Sequence, residues 1–230
     1  WSDFLKLSKT NKQNFDVIIL AGGMGKRLLP YSTILPKPLF FYNGSTITEQ
    51  IIQQFAKYGF INFLISVNYK KNIIQSYLDN FKPYFNINYL FESKRLGTAG
   101  PIGQISNKQK KSFFLINCDT LITSDLKKIY KYHVEGNFLM TIVTTKIDFK
   151  IDYGVLEIDK KNKLKSMNEK PVINNNILTG LYVFHPEIKK AIPKNKKFDM
   201  KELILKLLKE NKNIFIYKIN NKSWKDISKY

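Results

Sequence analysis

Short unbroken apolar runs alternate along this chain with stretches in which apolar residues recur every three or four positions. Asp16 is followed by Val-Ile-Ile-Leu20, a continuous apolar run of strand length and the pattern of a strand covered on both faces. The spacing Ile47, Ile51, Ile52, Phe55 predicts a helix over 47–58. Strands follow at 61–67, 87–91 and 112–117, with helices at 72–81, 99–105 and 127–133 between and after them. The β-branched run at 139–145 reads as another strand. This alternation predicts an α/β fold with a parallel sheet. Beyond it the character changes: strands at 153–159, 164–168 and 178–184 have few helices between them. One amphipathic helix at 200–209 and a last strand at 214–219 complete the pattern. The expectation is one α/β domain, a mixed and mainly parallel sheet flanked by helices, with an appended β-rich portion.

The chemistry concentrates after the first strand, in Leu20-Ala-Gly-Gly-Met-Gly-Lys-Arg-Leu-Leu-Pro30 and then Pro36-Lys-Pro38. A glycine turn at the carboxyl end of a buried first strand is where open α/β sheets bind phosphates, because backbone amides can approach the oxygens unobstructed. Two familiar phosphate loops fail on the letters. A P-loop needs Gly at 20 and Ser or Thr at 27, where Leu20 and Arg27 stand. The dinucleotide fingerprint needs a third glycine where Leu28 stands. What remains is a glycine loop with Arg27 and, ten residues on, Lys37 held between two prolines that restrain its backbone.

Composition narrows the classes. Hydrophobic residues make up 43% and charged residues 24% of the 230, so the chain is globular in type. The net charge is +20, yet all but two of the 38 basic residues are lysine, the exceptions being Arg27 and Arg95. A nucleic-acid reader leans on arginine for bidentate contacts, so no nucleic-acid partner is expected; the lysines read as a solvated coat that attracts anionic ligands. The single Cys118 excludes an internal disulfide and a cysteine-rich zinc site, and His133 and His185 read as surface or capping residues. No apolar run reaches the length of about 18 residues that a membrane span needs, and no signal peptide is visible. A cytoplasmic chain with no membrane partner is expected. Residues 1–14 are polar and lysine-rich, and are expected to be a leader or the remnant of a linker.

The pattern Gly-Gly-x-Gly-x-Arg-Leu-x-Pro with a later Pro-Lys-Pro resembles the sugar-1-phosphate nucleotidyltransferases (nucleotide-sugar pyrophosphorylases) over 15–230. The resemblance implies the nucleotide-diphospho-sugar transferase fold, Rossmann-like with a β-rich sugar-binding portion. It assigns nucleotide binding to Leu20, Ala21, Gly22, Gly23, Met24, Gly25, Lys26 and Arg27, and to Leu96, Gly97 and Thr98 of the loop that faces the base. Asn117-Cys-Asp119 and Trp224-Lys-Asp226 match elements whose aspartates bind magnesium, so Asp119 and Asp226 are the implied Mg²⁺ ligands. Cys118, Tyr153, Gly154, Glu169, Lys170, Thr179 and Gly180 match the surroundings of the sugar and its phosphate. Arg27, Lys37, Asp119, Lys170 and Asp226 are the implied catalytic set. The implied substrates are a nucleoside triphosphate and a sugar 1-phosphate.

Physical chemistry suits those roles. Separate carboxylates fit Mg²⁺, which takes oxygen ligands and retains waters and phosphate oxygens. A phosphate monoester, with its second pKa near 6, is its own nucleophile and needs no general base. Read without the resemblance, Asp119 could instead cap the helix after it, Asp226 could be a surface aspartate, and Thr179-Gly180 could be a tight approach of one strand to its neighbour. The chain departs from the family at Lys26, in place of Thr or Ser, at Cys118, in place of Gly, and after Asp226, where Ile227-Ser-Lys replaces Ile-Gly-Thr.

The Leu96-Gly-Thr-Ala-Gly100 loop is most similar to guanylyltransferases acting on mannose, heptose or glucosamine 1-phosphates, some of which feed surface-glycan or legionaminic acid synthesis. Thymidylyl-, uridylyl- and cytidylyltransferases of the same fold, choline-phosphate cytidylyltransferase among them, are the alternatives, as is a catalytically idle nucleotide-binding module. By resemblance a homodimer and an upstream CBS pair are the expected assembly and regulatory partners.

Overall fold

A computed structural model of the chain describes residues 14–229, with only the backbone of Arg27 and Lys229. The leader expected over 1–14 therefore lies, but for Asn14, outside the described residues. In chain order the elements are β1 (Val17–Leu20), a small hairpin of β2 (Phe41–Tyr42) and β3 (Ser45–Thr46), α1 (Ile47–Lys57), β4 (Asn62–Val67), α2 (Lys71–Leu78) and β5 (Asn86–Phe91). Then come β6 (Phe113–Asn117), β7 (Thr120–Ile122), α3 (Leu126–Glu135), β8 (Met140–Lys150), β9 (Val155–Ile158) and β10 (Leu164–Asn168). The chain closes with β11 (Val172–Phe184), α4 (Met200–Lys209), β12 (Ile214–Ile219) and β13 (Trp224–Asp226).

Among the described residues the central sheet has seven strands in the order β12-β8-β11-β6-β1-β4-β5. Pairings β1–β4, β1–β6, β4–β5 and β8–β12 are parallel, and β11 runs antiparallel to both β6 and β8. The sheet is thus mixed and mainly parallel, as the alternation predicts. β1 explains why its run is unbroken: Val17 and Ile19 face one core and Ile18 the other, all fully buried. The first core takes Ile51, Ile52 and Phe55 of α1; the second takes Leu203 and Leu207 of α4. Thr46 caps α1 and Asp125 caps α3 by accepting from backbone N–H groups. The cap of α3 is therefore Asp125, and Asp119 is left for other work.

Two differences from the sequence expectation have physical causes. The helix expected at 99–105 is a 3₁₀ turn over Gly100–Gln104, where Gly100, Pro101 and Gly103 do not sustain an α-helix. β8 and β11 run well beyond 139–145 and 178–184 as a two-stranded ribbon, pairing Lys150 with Val172. The distal part of β11 includes Asn174-Asn175-Asn176 and is exposed, so no burial imprints a period on its sequence. The exposed hairpin β9–β10 stands at the end of that ribbon.

His133 corrects the expectation of a surface or capping residue: it is 1% exposed, and its Nδ1 shares a 2.8 Å hydrogen bond with Thr141 Oγ1. His185 does cap, accepting from Glu187 N at 3.3 Å. Burial, and secondarily the nearby His185, push the His133 pKa down to about 4. In the unfolded chain the imidazole titrates near 6.5. Between those values the unfolded state binds the extra proton, so the contribution of His133 is complete above about pH 6.5 and is lost as pH falls through about 4. Urea melts at pH 7 and pH 4.5 are expected to show this loss, and His133→Asn to flatten it by about 1–3 kcal/mol.

Candidate active site

The carboxyl ends of β1, β4, β5 and β6 open onto a cavity of about 300 Å³. Leu20, Gly22, Gly23 and Gly25 line it from the first turn, and Gly97 and Thr98 from the loop after β5. Gly25 turns the chain with φ +63° into a 3₁₀ turn over Lys26–Leu28. Of the remaining residues assigned to the nucleotide, Ala21 and Leu96 are buried in packing, while Met24 and the exposed Lys26 share the turn without lining the cavity. The side chain of Arg27 lies outside the described residues.

Lys37 enters from a short 3₁₀ turn whose Pro38 and Leu39 are buried. Its Nζ donates to Asp119 Oδ2, and both side chains are mostly buried, with 15% and 20% of their surface exposed. Asp119 comes from the turn between β6 and β7. Cys118 beside it also lines the cavity. Burial first, and then the Asp119 charge, push the Cys118 thiol up to about 12, so it is a neutral packing group rather than a thiolate nucleophile.

Asp226 reaches the same place through three-residue strands. β13 pairs antiparallel with β7, setting Asp226 opposite Thr120, the residue after Asp119. Ile227 N donates to Asp119 O at 2.8 Å and locks the junction. Ser228, at the departure from the family pattern, donates both its N–H (2.9 Å) and its hydroxyl (2.6 Å) to Asp226 Oδ1. The structure therefore joins Lys37 to Asp119 by an ion pair at the cavity and sets the backbone of Asp226 next to that of Asp119, while Asp226 itself does not line the cavity.

Thr179-Gly180 serves this junction from behind. Here β11 slips its register against β8, between Leu178 and Tyr182. The Thr179 carbonyl accepts from Thr120 Oγ1 (3.0 Å) and from Trp224 Nε1 (2.9 Å), one bond from β7, which follows Asp119, and one from β13, which ends on Asp226. The Thr179 hydroxyl is buried and donates to Val143 O at 2.8 Å, facing the sheet. Gly180 has φ +84°, and a Cβ there would fall 2.7 Å from Asn117 Nδ2 and 2.8 Å from Thr120 Oγ1. The tight approach of a strand to its neighbour is what this pair makes.

The other residues assigned to the sugar cluster apart. Gly154 packs against Glu169 and Met167, and Lys170 follows in a left-handed conformation, φ +46°. They and Tyr153 stand, exposed, where the β9–β10 hairpin joins the β8–β11 ribbon, and none of the four lines the cavity.

Two lining residues, Glu92 and Arg95, belong to no motif. Glu92, at the end of β5, is 9% exposed and lies against Gly22. Its carboxylate accepts from the Ser66 hydroxyl and from Leu96 N (2.9 Å), and Asn68 Nδ2 donates to its backbone carbonyl at 2.7 Å. The available signal was a carboxylate four residues before the glycine-containing loop, following a strand; alone, that pattern is too common to stand out.

The nucleotidyl transferase family model matches residues 16–230. The chain belongs to the nucleotidyl transferase family. Its sequence is 35% identical over 186 residues to a mannose-1-phosphate guanyltransferase of Hypocrea jecorina, covering 76% of this chain and 50% of that protein. The chain thus spans about half the length of that curated relative, and places among the sugar-1-phosphate nucleotidyltransferases. Its fold superposes on HddC from Yersinia pseudotuberculosis complexed with GMP-PN, at TM-score 0.70 and 26% identity, covering 93% of this chain and 94% of that one. A putative glucose-1-phosphate thymidylyltransferase from Bacillus anthracis, 18% identical at TM-score 0.72 over 93% and 90% of the two chains, shares the fold.

In this nucleotidyl transferase the Thr179-Gly180 corner predicts a specific sensitivity. Gly180→Ala forces a side chain into Asn117 and Thr120 at a positive φ, and is expected to cost about 1–3 kcal/mol in chemical denaturation. An alanine at Gly23, where a Cβ would meet nothing within 4 Å, is expected to leave the midpoint nearly unchanged.

Proposed function

We propose that this chain transfers GMP from GTP to a sugar 1-phosphate, giving a nucleotide sugar and pyrophosphate. The observation that carries the reading is the β7–β13 pairing, which brings the backbone of Asp226 next to that of Asp119, the carboxylate that lines a cavity with Lys37 and three glycines of the first turn. Cations and backbone amides there suit a triphosphate, and two carboxylates suit the divalent ion on which this family depends. Among the described residues no three His, Cys, Asp or Glu gather into a metal cage. Two carboxylates with water and phosphate oxygens filling the remaining positions is the manner of Mg²⁺. When bound, the ion would neutralise charge on the triphosphate and make its α-phosphorus more electrophilic.

The protein's share is alignment and charge. A phosphate oxygen of the sugar 1-phosphate forms the new bond to the α-phosphorus as the bond to the bridging oxygen breaks, and pyrophosphate leaves with that electron pair. The nucleophile is already an anion, so no group on the chain has to remove a proton. Lys37, aimed by its paired prolines, and Arg27 offset the charge on the phosphates, while the glycine turn fixes them in line. Tyr153, Glu169 and Lys170 are assigned to the sugar by their match to the family pattern and by their place together at the end of the β8–β11 ribbon.

Glu92 supports guanine. Guanine presents N1–H and N2–H₂ as adjacent donors, and the buried Glu92 carboxylate, which lines the cavity, is an acceptor with capacity for more than the two bonds it takes from Ser66 and Leu96. The guanyltransferase relatives favour the same base, and mannose 1-phosphate as acceptor. The product would be an activated donor for surface-glycan or nonulosonic acid precursors.

Pyrophosphate release is the direct assay: GTP, dTTP, UTP, CTP and ATP crossed with sugar 1-phosphates, mannose first, with and without Mg²⁺. Turnover is expected with GTP, only with the metal, and Asp119→Asn is expected to lower it at least about a hundredfold. Silence of the wild type across the whole panel overturns the reading. Glu92→Gln is expected to cut the preference for GTP over ITP, which lacks the N2 amino group, by about tenfold or more; an unchanged ratio removes Glu92 from base recognition.

A further inference from the structure

The base loop and the start of α4 are bound to each other at every step. Phe198 N donates to Leu96 O at 2.8 Å, and Ala99 N and Gly100 N both donate to Phe198 O at 3.0 Å. Thr98 and Asp199 then exchange support. The Thr98 hydroxyl accepts from Met200 N at 2.8 Å, satisfying a free N–H of the first turn of α4. In return Asp199 Oδ1 accepts from Thr98 N at 3.1 Å. Gly97, with φ +78°, lies so close that a Cβ there would fall 2.5 Å from Asp199 Oδ1. Gly97 and Thr98 line the cavity and Asp199 does not.

We propose that Asp199 is a positioning residue for the nucleobase: by holding the Thr98 amide from behind, its carboxylate sets the edge that Gly97 and Thr98 present to the base. This rests on the reading that the loop faces the nucleotide. A bond from a carboxylate to a backbone N–H is of the stronger kind, and here it clamps a glycine-containing turn that has wide backbone freedom of its own. Glu92 holds the same loop from the sheet side at Leu96 N, so the two carboxylates hold it at two points. Releasing Asp199 removes the hold on the Thr98 amide and leaves the other bonds of the loop in place. The consequence falls on nucleotide affinity and base choice, because Lys37, Asp119 and Asp226 belong to a different part of the fold and share no hydrogen bond with Asp199 among the described residues.

Asp199 also opens α4 in a capping box with Glu202, whose Oε2 accepts from Asp199 N at 2.6 Å. The test must separate that role from loop support, and three substitutions do so. Asp199→Asn keeps an acceptor oxygen at the same reach, Asp199→Ser keeps a helix cap but shortens the side chain by one atom, and Asp199→Ala keeps neither. KM for GTP, KM for the sugar 1-phosphate, kcat and the GTP-over-ATP ratio of kcat/KM are measured for each, with thermal midpoints alongside. The expected result is a KM for GTP raised about three- to tenfold in Ser and Ala alike, with a reduced GTP-over-ATP ratio. Asn restores both values, while kcat and the sugar-phosphate KM stay within about twofold throughout.

A wild-type KM for GTP in the Ser variant overturns the proposal and assigns Asp199 to helix capping. Changes in kcat and both KM values together, following the thermal midpoint, overturn it in favour of general destabilisation. Should the wild type bind GTP without turning it over, calorimetric Kd values for GTP and ATP across the same variants decide between the same outcomes. A wild type that binds no nucleotide overturns this proposal together with the reading beneath it, whereas an active wild type with unsplit variants overturns this proposal alone.

Discussion

The pairing that sets the Asp226 segment beside the Asp119 segment depends on one carbonyl oxygen. Thr179 O receives Thr120 on one side and Trp224 on the other, and so ties together the short strand that follows Asp119 and the one that ends on Asp226. Three-residue strands supply little pairing energy of their own. The arrangement holds because each carboxylate has a donor of its own: Lys37 for Asp119, and Ser228 for Asp226. The register slip at Thr179-Gly180 is what frees that carbonyl from the ladder and turns it to this task.

The charge of the chain takes a different meaning in this setting. A coat of 36 lysines would favour almost any anion, and by itself says nothing specific. Most of the ion pairs these lysines make are between exposed neighbours on the same helix or turn, and such pairs contribute little. Lys37 differs because it is largely buried and directed by a rigid turn onto a carboxylate at the cavity. That constrained cation and the glycine turn are what set the cavity apart, while the coat attracts anions of any kind.

Polar groups also decide the geometry of the base side. Glu92 is buried at the end of a strand whose neighbours are largely apolar, yet its donors from Ser66 and Leu96 satisfy it. The loop they hold closes on α4 through Thr98 and Asp199, so one helix start and one strand end define its shape. By contrast, the β9–β10 hairpin carries its candidate sugar residues in exposed positions on a ribbon with two free faces, the kind of element that can move as a unit.

The sequence by itself determined the layers of the sheet and the place of the glycine turn, because buried strands must be continuously apolar and a left-handed turn at a strand end draws on glycine. Motif order also marked Lys37, Asp119 and Asp226, although only their residue types and settings distinguished them from many like residues. The tertiary structure alone decided the rest. The distal half of β11 is polar and exposed, so no burial pattern announces it; β7 and β13 are too short for any period to show. Glu92, Asp199 and His133 owe their roles to partners 26, 101 and 8 positions away, and a single titratable side chain carries no mark of the partner that folding will supply. Periodicity records which face of an element is buried, while the pairing of polar groups is settled only when the elements meet.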